Sequence, residues 1–125
     1  MPTAKHHEEL DVWKLATELT DGISKLVERE SVKRDRNFCD QILRSARSAP
    51  ANFAEGFARY RPREFARFVR IALGSLGETQ NHLQEARRKK YLNEEDFDKL
   101  WQLSRRTIGG AVKLHNYLKR CPDRK

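Results

Sequence analysis

Apolar residues recur at steps of three and four along almost the whole chain. Val12, Leu15, Ala16, Leu19, Ile23, Leu26 and Val27 fall on one stripe, the spacing that 3.6 residues per turn imposes on a helix face turned to a core. Asp11 stands where an N-cap is expected, and the polar run Glu30 to Arg36 ends this first helix. Phe38, Ile42, Ala46, Ala49, Phe53 and Phe57 carry the pattern through a second helix. Tyr60-Arg61-Pro62 then reads as a turn, since proline is pre-organised for the first turn of a following helix. Phe65, Phe68, Val69, Ala72, Leu76, Leu83 and Ala86 trace a third helix that runs to about Lys90. Asn93 and the acids Glu94, Glu95 and Asp96 form a cap and first turn for a fourth, with Phe97, Leu100, Ile108, Ala111, Leu114 and Leu118 on its apolar face. No segment alternates with period two. The expected fold class is therefore all-α, an antiparallel up-down four-helix bundle forming one domain over 1–125, with about 1–9 and 121–125 as loose termini.

One stretch breaks the helix rules. Pro50 lies inside the second apolar pattern, and Ser48, Ala49, Ala51, Gly56, Gly74, Ser75 and Gly77 put small residues along the second and third helices. A helix-interior proline or glycine costs about 1 to 3 kcal/mol relative to alanine, so such residues belong where another backbone comes close or a kink is required. Folding the second and third helices back around Arg61 sets Phe57 beside Phe65, Phe53 beside Val69, Ala49 beside Leu73 and Ala46 beside Leu76. The same register sets Ser48 beside Gly74. It also levels Arg44 with Glu78, Glu55 with Arg67 and Asn52 with Arg70. Were Glu55 and Glu78 paired out of solvent in this way, truncating either would cost about 3 kcal/mol.

Composition narrows the function. The net charge is +8, with 26 Lys and Arg against 18 Asp and Glu. Up to Pro62 there are 11 basic and 10 acidic residues; from Arg63 onward there are 15 and 8. The positive field thus sits in the second half and favours polyanionic partners. The chain holds no run of 18 apolar residues and no apolar segment behind its charged start, so the expected location is the cytoplasm. Cys39 and Cys121 have no metal-like spacing and read as plain thiols.

The order of these features resembles the bacterial family of four-helix-bundle proteins encoded in intervening sequences of 23S ribosomal RNA genes. Leu10-Asp11-Val12-Trp13 is similar to its opening, Gln41-Ile42 with Arg44 and Ala46 to its second-helix entry, and Ser48 through Gly56 to its most distinctive motif. Glu64-Phe65, Phe68, Ile71 through Leu76 and Glu78 resemble its third helix, and Tyr91-Leu92 the turn that follows. Leu43 departs from it, standing where members often carry a second arginine, and so weakens any two-arginine site. The resemblance implies a barrel-shaped homopentamer with a basic surface; from the register and the small residues above, Arg44, Pro50, Asn52, Glu55, Gly56, Gly74, Ser75, Gly77 and Glu78 are expected to serve structure or interfaces. Related accessory proteins of diversity-generating retroelements bind RNA and a reverse transcriptase, so RNA and a protein partner are both implied.

The candidate nucleic-acid site comprises Arg59, Arg61 and Arg63 around the second turn, Arg67 and Arg70 beyond it, and Arg87, Arg88, Lys89 and Lys90 at the far end of the third helix. Arginine dominates, and its planar fork suits bidentate phosphate contacts. Tyr60, Tyr91 and Trp101 are candidates for base stacking, although each also suits packing. Reversing Arg87 to Lys90 is expected to abolish RNA binding with the fold unchanged. No catalytic residues, cofactor or metal are expected. Glu78 and His82, with Glu55 or Glu85, make only a fragment of a carboxylate-histidine site, and a di-iron bundle needs paired Glu-x-x-His motifs. His115 reads as a hydrogen-bonded core histidine.

Overall fold

The computed structural model describes residues 5–59 and 61–122, which form five α-helices and no strand among the described residues. They are α1 (Asp11–Val27), the single turn α2 (Glu30–Lys33), α3 (Arg36–Ala58), α4 (Pro62–Arg88) and α5 (Glu94–Arg120). The four long helices stand in a square, each antiparallel to its two neighbours: α3 packs between α1 and α4, and α5 closes the square between α4 and α1. One end of the bundle therefore gathers the start of α1, the α3–α4 turn and the end of α5. The opposite end gathers α2, the start of α3 and the α4–α5 connection. No described helix is long and apolar enough to cross a membrane.

The expected stripes supply the core. Ala16, Ile23, Ile42, Ala49, Phe53, Val69, Ala72, Leu76, Leu83 and Ala111 are fully buried. Boundaries shift in three places. Leu10, not Asp11, occupies the N-cap position of α1, and Asp11 is its first helical residue. Within the polar run after α1, α2 buries Val32 completely, which the surrounding charges had concealed. The start of the chain was expected to be loose, but His7–Glu9 form a 3₁₀ turn whose Glu9 carboxylate accepts from the Lys5 and His6 backbone N–H groups at 2.8 Å each. His7 packs edge-on against Trp13.

Pro50 does not break α3, which runs unbroken past it. Proline has no N–H to give the carbonyl four residues back, and here that carbonyl belongs to Ala46. The Thr20 hydroxyl of α1 lies 3.2 Å from Ala46 O and 2.8 Å from Ala16 O, so a neighbouring helix serves the acceptor that Pro50 leaves. Across α3 and α4 a ladder of small polar groups follows. Thr79 Oγ1 donates to Ser45 Oγ at 2.9 Å, Ser75 Oγ to Ser48 Oγ at 2.7 Å, and Asn52 Nδ2 to Ser48 Oγ at 3.0 Å. Phe57 and Phe65 meet edge to face at 6.2 Å, as the fold-back register requires. Ser48 meets Ser75 rather than Gly74, one residue further along α4.

Candidate nucleic-acid interface

Where α4 begins and α5 ends, the two helices leave a cleft of about 590 Å³ lined by Arg61, Arg63, Glu64, Ala66, Arg67, Arg70, Leu118, Lys119 and Cys121. Five cationic side chains face one carboxylate. Glu64 reaches Arg67 at 3.7 Å, while Arg61, Arg63, Arg70 and Lys119 have no carboxylate within 4 Å among the described residues. The start of α4 adds the positive end of its macrodipole, and its cap residue Arg61 makes no side-chain cap bond. Arg59 and Arg67 lie over the Phe68 ring at 5.2 and 5.3 Å, with Arg59 also 3.5 Å from Glu55.

His115 is not a core residue. It is half-buried beside the cleft, and its Nε2 faces the Arg70 guanidinium at 3.4 Å. Burial, followed by the charges of Arg70 and Lys119, pushes this imidazole below its ordinary range. At neutral pH it is uncharged and adds no repulsion to Arg70.

Arg87, Arg88, Lys89 and Lys90 stand at the other end of α4, about 40 Å away along a 27-residue helix. Two of the four are engaged within the fold. Arg87 makes a two-pronged pair with Glu94 at 2.7 and 3.1 Å and lies over Phe97 at 4.5 Å. Lys89 bonds both Asp35 and Glu85 at 2.9 Å. Lys90 takes the left-handed position of a Schellman turn at φ 59°, with Tyr91 N–H closing on Ala86 O at 2.9 Å. Only Arg88 and Lys90 project without an ion pair among the described residues. Reversing all four would therefore dismantle the junction of α3, α4 and α5 as well as alter charge, contrary to the expectation that the fold would survive.

Asp35 organises that junction. Its carboxylate caps α3 by accepting from Phe38 N–H at 3.2 Å and accepts from Tyr91 Oη at 2.6 Å and Lys89 Nζ at 2.9 Å. The Lys89 bond, then Tyr91 and the Phe38 N–H, hold its pKa at about 2 against an ordinary 3.8. A depressed carboxylate pKa stabilises the fold above the ordinary value and loses that contribution as pH falls through the depressed one. Melting temperature is therefore expected to drop between about pH 4 and pH 2. Asp35→Asn should flatten the drop, and an unchanged slope would remove Asp35 from the account.

The remaining expected pairs do not form among the described residues. Glu55, half exposed, pairs with Arg59, and Glu78 is exposed with no ion pair among the described residues. Arg44 lies with Asp40, Leu43 and Arg47 around a shallow cleft of about 410 Å³ on α3, and Asn52 bonds Ser48 instead of approaching Arg70. Removing Glu55 costs what a surface pair costs, at most about 1 kcal/mol, and removing the unpaired Glu78 less. Gly56 is buried against α4, whereas Gly74 and Gly77 face open space. Tyr91 and Trp101 are packing residues, edge-on to Phe38 and stacked on Phe97 respectively; Tyr60 lies outside the described residues. No three His, Cys, Asp or Glu side chains group as a metal site would need among the described residues.

The sequence held an unread signal for the interface. No Asp or Glu occurs between Lys99 and Pro122, while Lys99, Arg105, Arg106, Lys113, Lys119 and Arg120 all do and all are exposed. The acids that follow α4 crowd the first turn of α5 instead, at Glu94, Glu95 and Asp96. The charge surplus thus belongs to the α3–α4 turn, the cleft and α5.

A family described as 23S rRNA-intervening sequence protein matches residues 8–109, a span that holds α1 through α4 and more than half of α5. The chain belongs to that family. Leu118, Lys119 and Cys121 complete the cleft from outside the matched span. No curated protein matches the chain. Among solved structures it is similar to a protein of unknown function from the S23 ribosomal protein family of Bacteroides thetaiotaomicron, with a TM-score of 0.77, 23% identity, and coverage of 84% of this chain and 95% of that one. At that identity the likeness concerns the fold, and it joins the family match in placing the helical architecture.

Proposed function

We propose that this family member is a non-catalytic, RNA-binding helical bundle that acts in the bacterial cytoplasm as a homo-oligomer, with the cleft end as its nucleic-acid face. The observation that carries the reading is the convergence of Arg61, Arg63, Arg67, Arg70 and Lys119 on one concave surface against Glu64 alone. Arg105, Arg106, Lys113 and Arg120 of α5, exposed and without an ion pair among the described residues, add to the positive surface of that helix. Arginines gathered against a single carboxylate are suited to phosphate rather than to a neutral ligand. The decisive measurement is a salt titration of binding to structured RNA. With six phosphates contacted, affinity should fall about 10³-fold between roughly 50 and 200 mM salt. No mobility shift at low salt would end the RNA reading in favour of a scaffold that docks an acidic protein, such as a reverse transcriptase.

Assembly is part of the proposal. Among the described residues Ile71 and Val112 are the exposed large apolar ones, each 42% accessible, and Gly74, Gly77 and Gly109 give α4 and α5 open, low-relief surface beside them. Low relief with apolar residues suits a repeated subunit contact. Light scattering behind size exclusion should report about five subunits; a clean monomer at micromolar concentration would remove the ring.

A further inference from the structure

We infer that the cleft between the start of α4 and the end of α5 binds the terminal phosphate chain of a nucleotide, carried on an RNA 5′ end or on a free nucleoside triphosphate. For its RNA arm the inference rests on the reading above. Charge density is the first argument. An internal phosphodiester brings one negative charge, and successive ones pass along a groove. A terminal phosphate brings about two, and a triphosphate more, all concentrated at one point. Arg61, Arg63, Arg70 and Lys119 gather around one pocket with no carboxylate partner among the described residues, an excess that a single passing phosphodiester would leave mostly uncompensated.

Placement is the second argument. The cleft occupies the end of the groove between α4 and α5, over Arg61 to Arg70 and Leu118 to Cys121, where a strand lying on the bundle can place its 5′ end. Its volume of about 590 Å³ falls within the range of small-ligand sites. The Arg70 guanidinium lies 3.4 Å from His115 Nε2, a neutral partner that leaves its charge unspent on an internal acid.

Cys121 provides a reporter. Its thiol lines the cleft and is partly exposed, while Cys39 is buried at the opposite end of the bundle and serves as the unreactive control. The experiment takes one 3′-labelled RNA sequence with a 5′-triphosphate, 5′-monophosphate or 5′-hydroxyl end, together with free ATP, at about 100 mM salt. The triphosphate RNA should bind at least about tenfold more tightly than the hydroxyl RNA, with the monophosphate between them, and should slow iodoacetamide alkylation of Cys121. Arg63→Ala combined with Lys119→Ala, both exposed positions, should bring the three ends to equal affinity with helicity retained.

Protection of Cys121 by ATP without any preference among RNA ends assigns the site to free nucleotides. Protection by ATP when no RNA binds at any salt retires the RNA function and leaves the cleft inference standing. Equal affinity for the three ends, with Cys121 alkylated at the same rate with and without ATP, overturns the inference while leaving general RNA binding intact.

Discussion

Replacing Arg63, Arg67 and Arg70 together with glutamate is expected to weaken RNA binding by about 10³-fold at roughly 100 mM salt. Each phosphate contact contributes about 0.9 to the slope of log affinity against log salt. Losing three should flatten that slope by nearly three units and remove between two and three decades of affinity, before any repulsion from the new carboxylates. All three side chains are exposed, and the interactions lost within the fold are the 3.7 Å contact of Arg67 with Glu64, its approach to the Phe68 ring and the contact of Arg70 with His115. Helicity and melting should therefore stay near those of the parent. The comparison is Arg88→Glu with Lys90→Glu at the opposite end of α4, which should cost less than about tenfold, because the positive field there is opposed by Glu94, Glu95 and Asp96. Equal losses from the two sets of reversals, or a loss below tenfold from the first, would displace the interface from the cleft end.

The glycines should separate by kind. At Gly56 an added Cβ would lie 2.8 Å from Phe65 Cδ1 and 2.9 Å from Phe68 Cβ. The first neighbour can rotate, but the second is fixed to the backbone of α4, so the two helices must part. Gly56→Val is expected to cost about 3 kcal/mol, an overpacking penalty only partly offset by better helix propensity. At Gly74 and Gly77 an added Cβ would meet nothing within 4 Å. Glutamine there should stabilise the isolated subunit by up to about 1 kcal/mol at each site, while filling the low-relief surface assigned to assembly. Urea melts should show the opposite signs, and light scattering should show the glutamine pair reduced below five subunits. A Gly56→Val protein that melts with the parent would mean that α3 and α4 tolerate separation at this point, and full assembly of the glutamine pair would place the subunit contact elsewhere.

The helices were legible because period and punctuation agreed. Asn93 accepts from Asp96 N–H at 2.8 Å, Pro62 opens α4, and the Phe57–Phe65 contact came from counting back across the turn. What could not be read was set by three-dimensional partners. Val32 is one apolar residue among charges, with no period to reveal it, and it is buried because α2 folds it under the bundle. Thr20 gave no sign that it would serve the carbonyl beneath Pro50, since the two lie on different helices. The polar pairs failed for a related reason: the register levels Glu55 with Arg67, but Arg59, one turn away on the same helix, reaches Glu55 first. For the interface, counting charge by halves found the surplus but misplaced half of it. Arg87 and Lys89 are long enough to turn back on Glu94, Asp35 and Glu85, and Lys99 on Glu95, whereas the stretch of α5 beyond Lys99 holds no acid for Arg105, Arg106, Lys113, Lys119 and Arg120 to turn to.

The unequal ends of the bundle bear on how subunits and ligand compete for the same electrostatics. In any cyclic ring, rotation about the axis brings every cationic cleft to the same rim, so each added subunit closes the ring against the repulsion of those already there. Salt screens that repulsion and equally screens the attraction for phosphate. In the proposed ring, raising ionic strength should consequently tighten the assembly and loosen its hold on RNA, and bound RNA should favour closure by neutralising the rim.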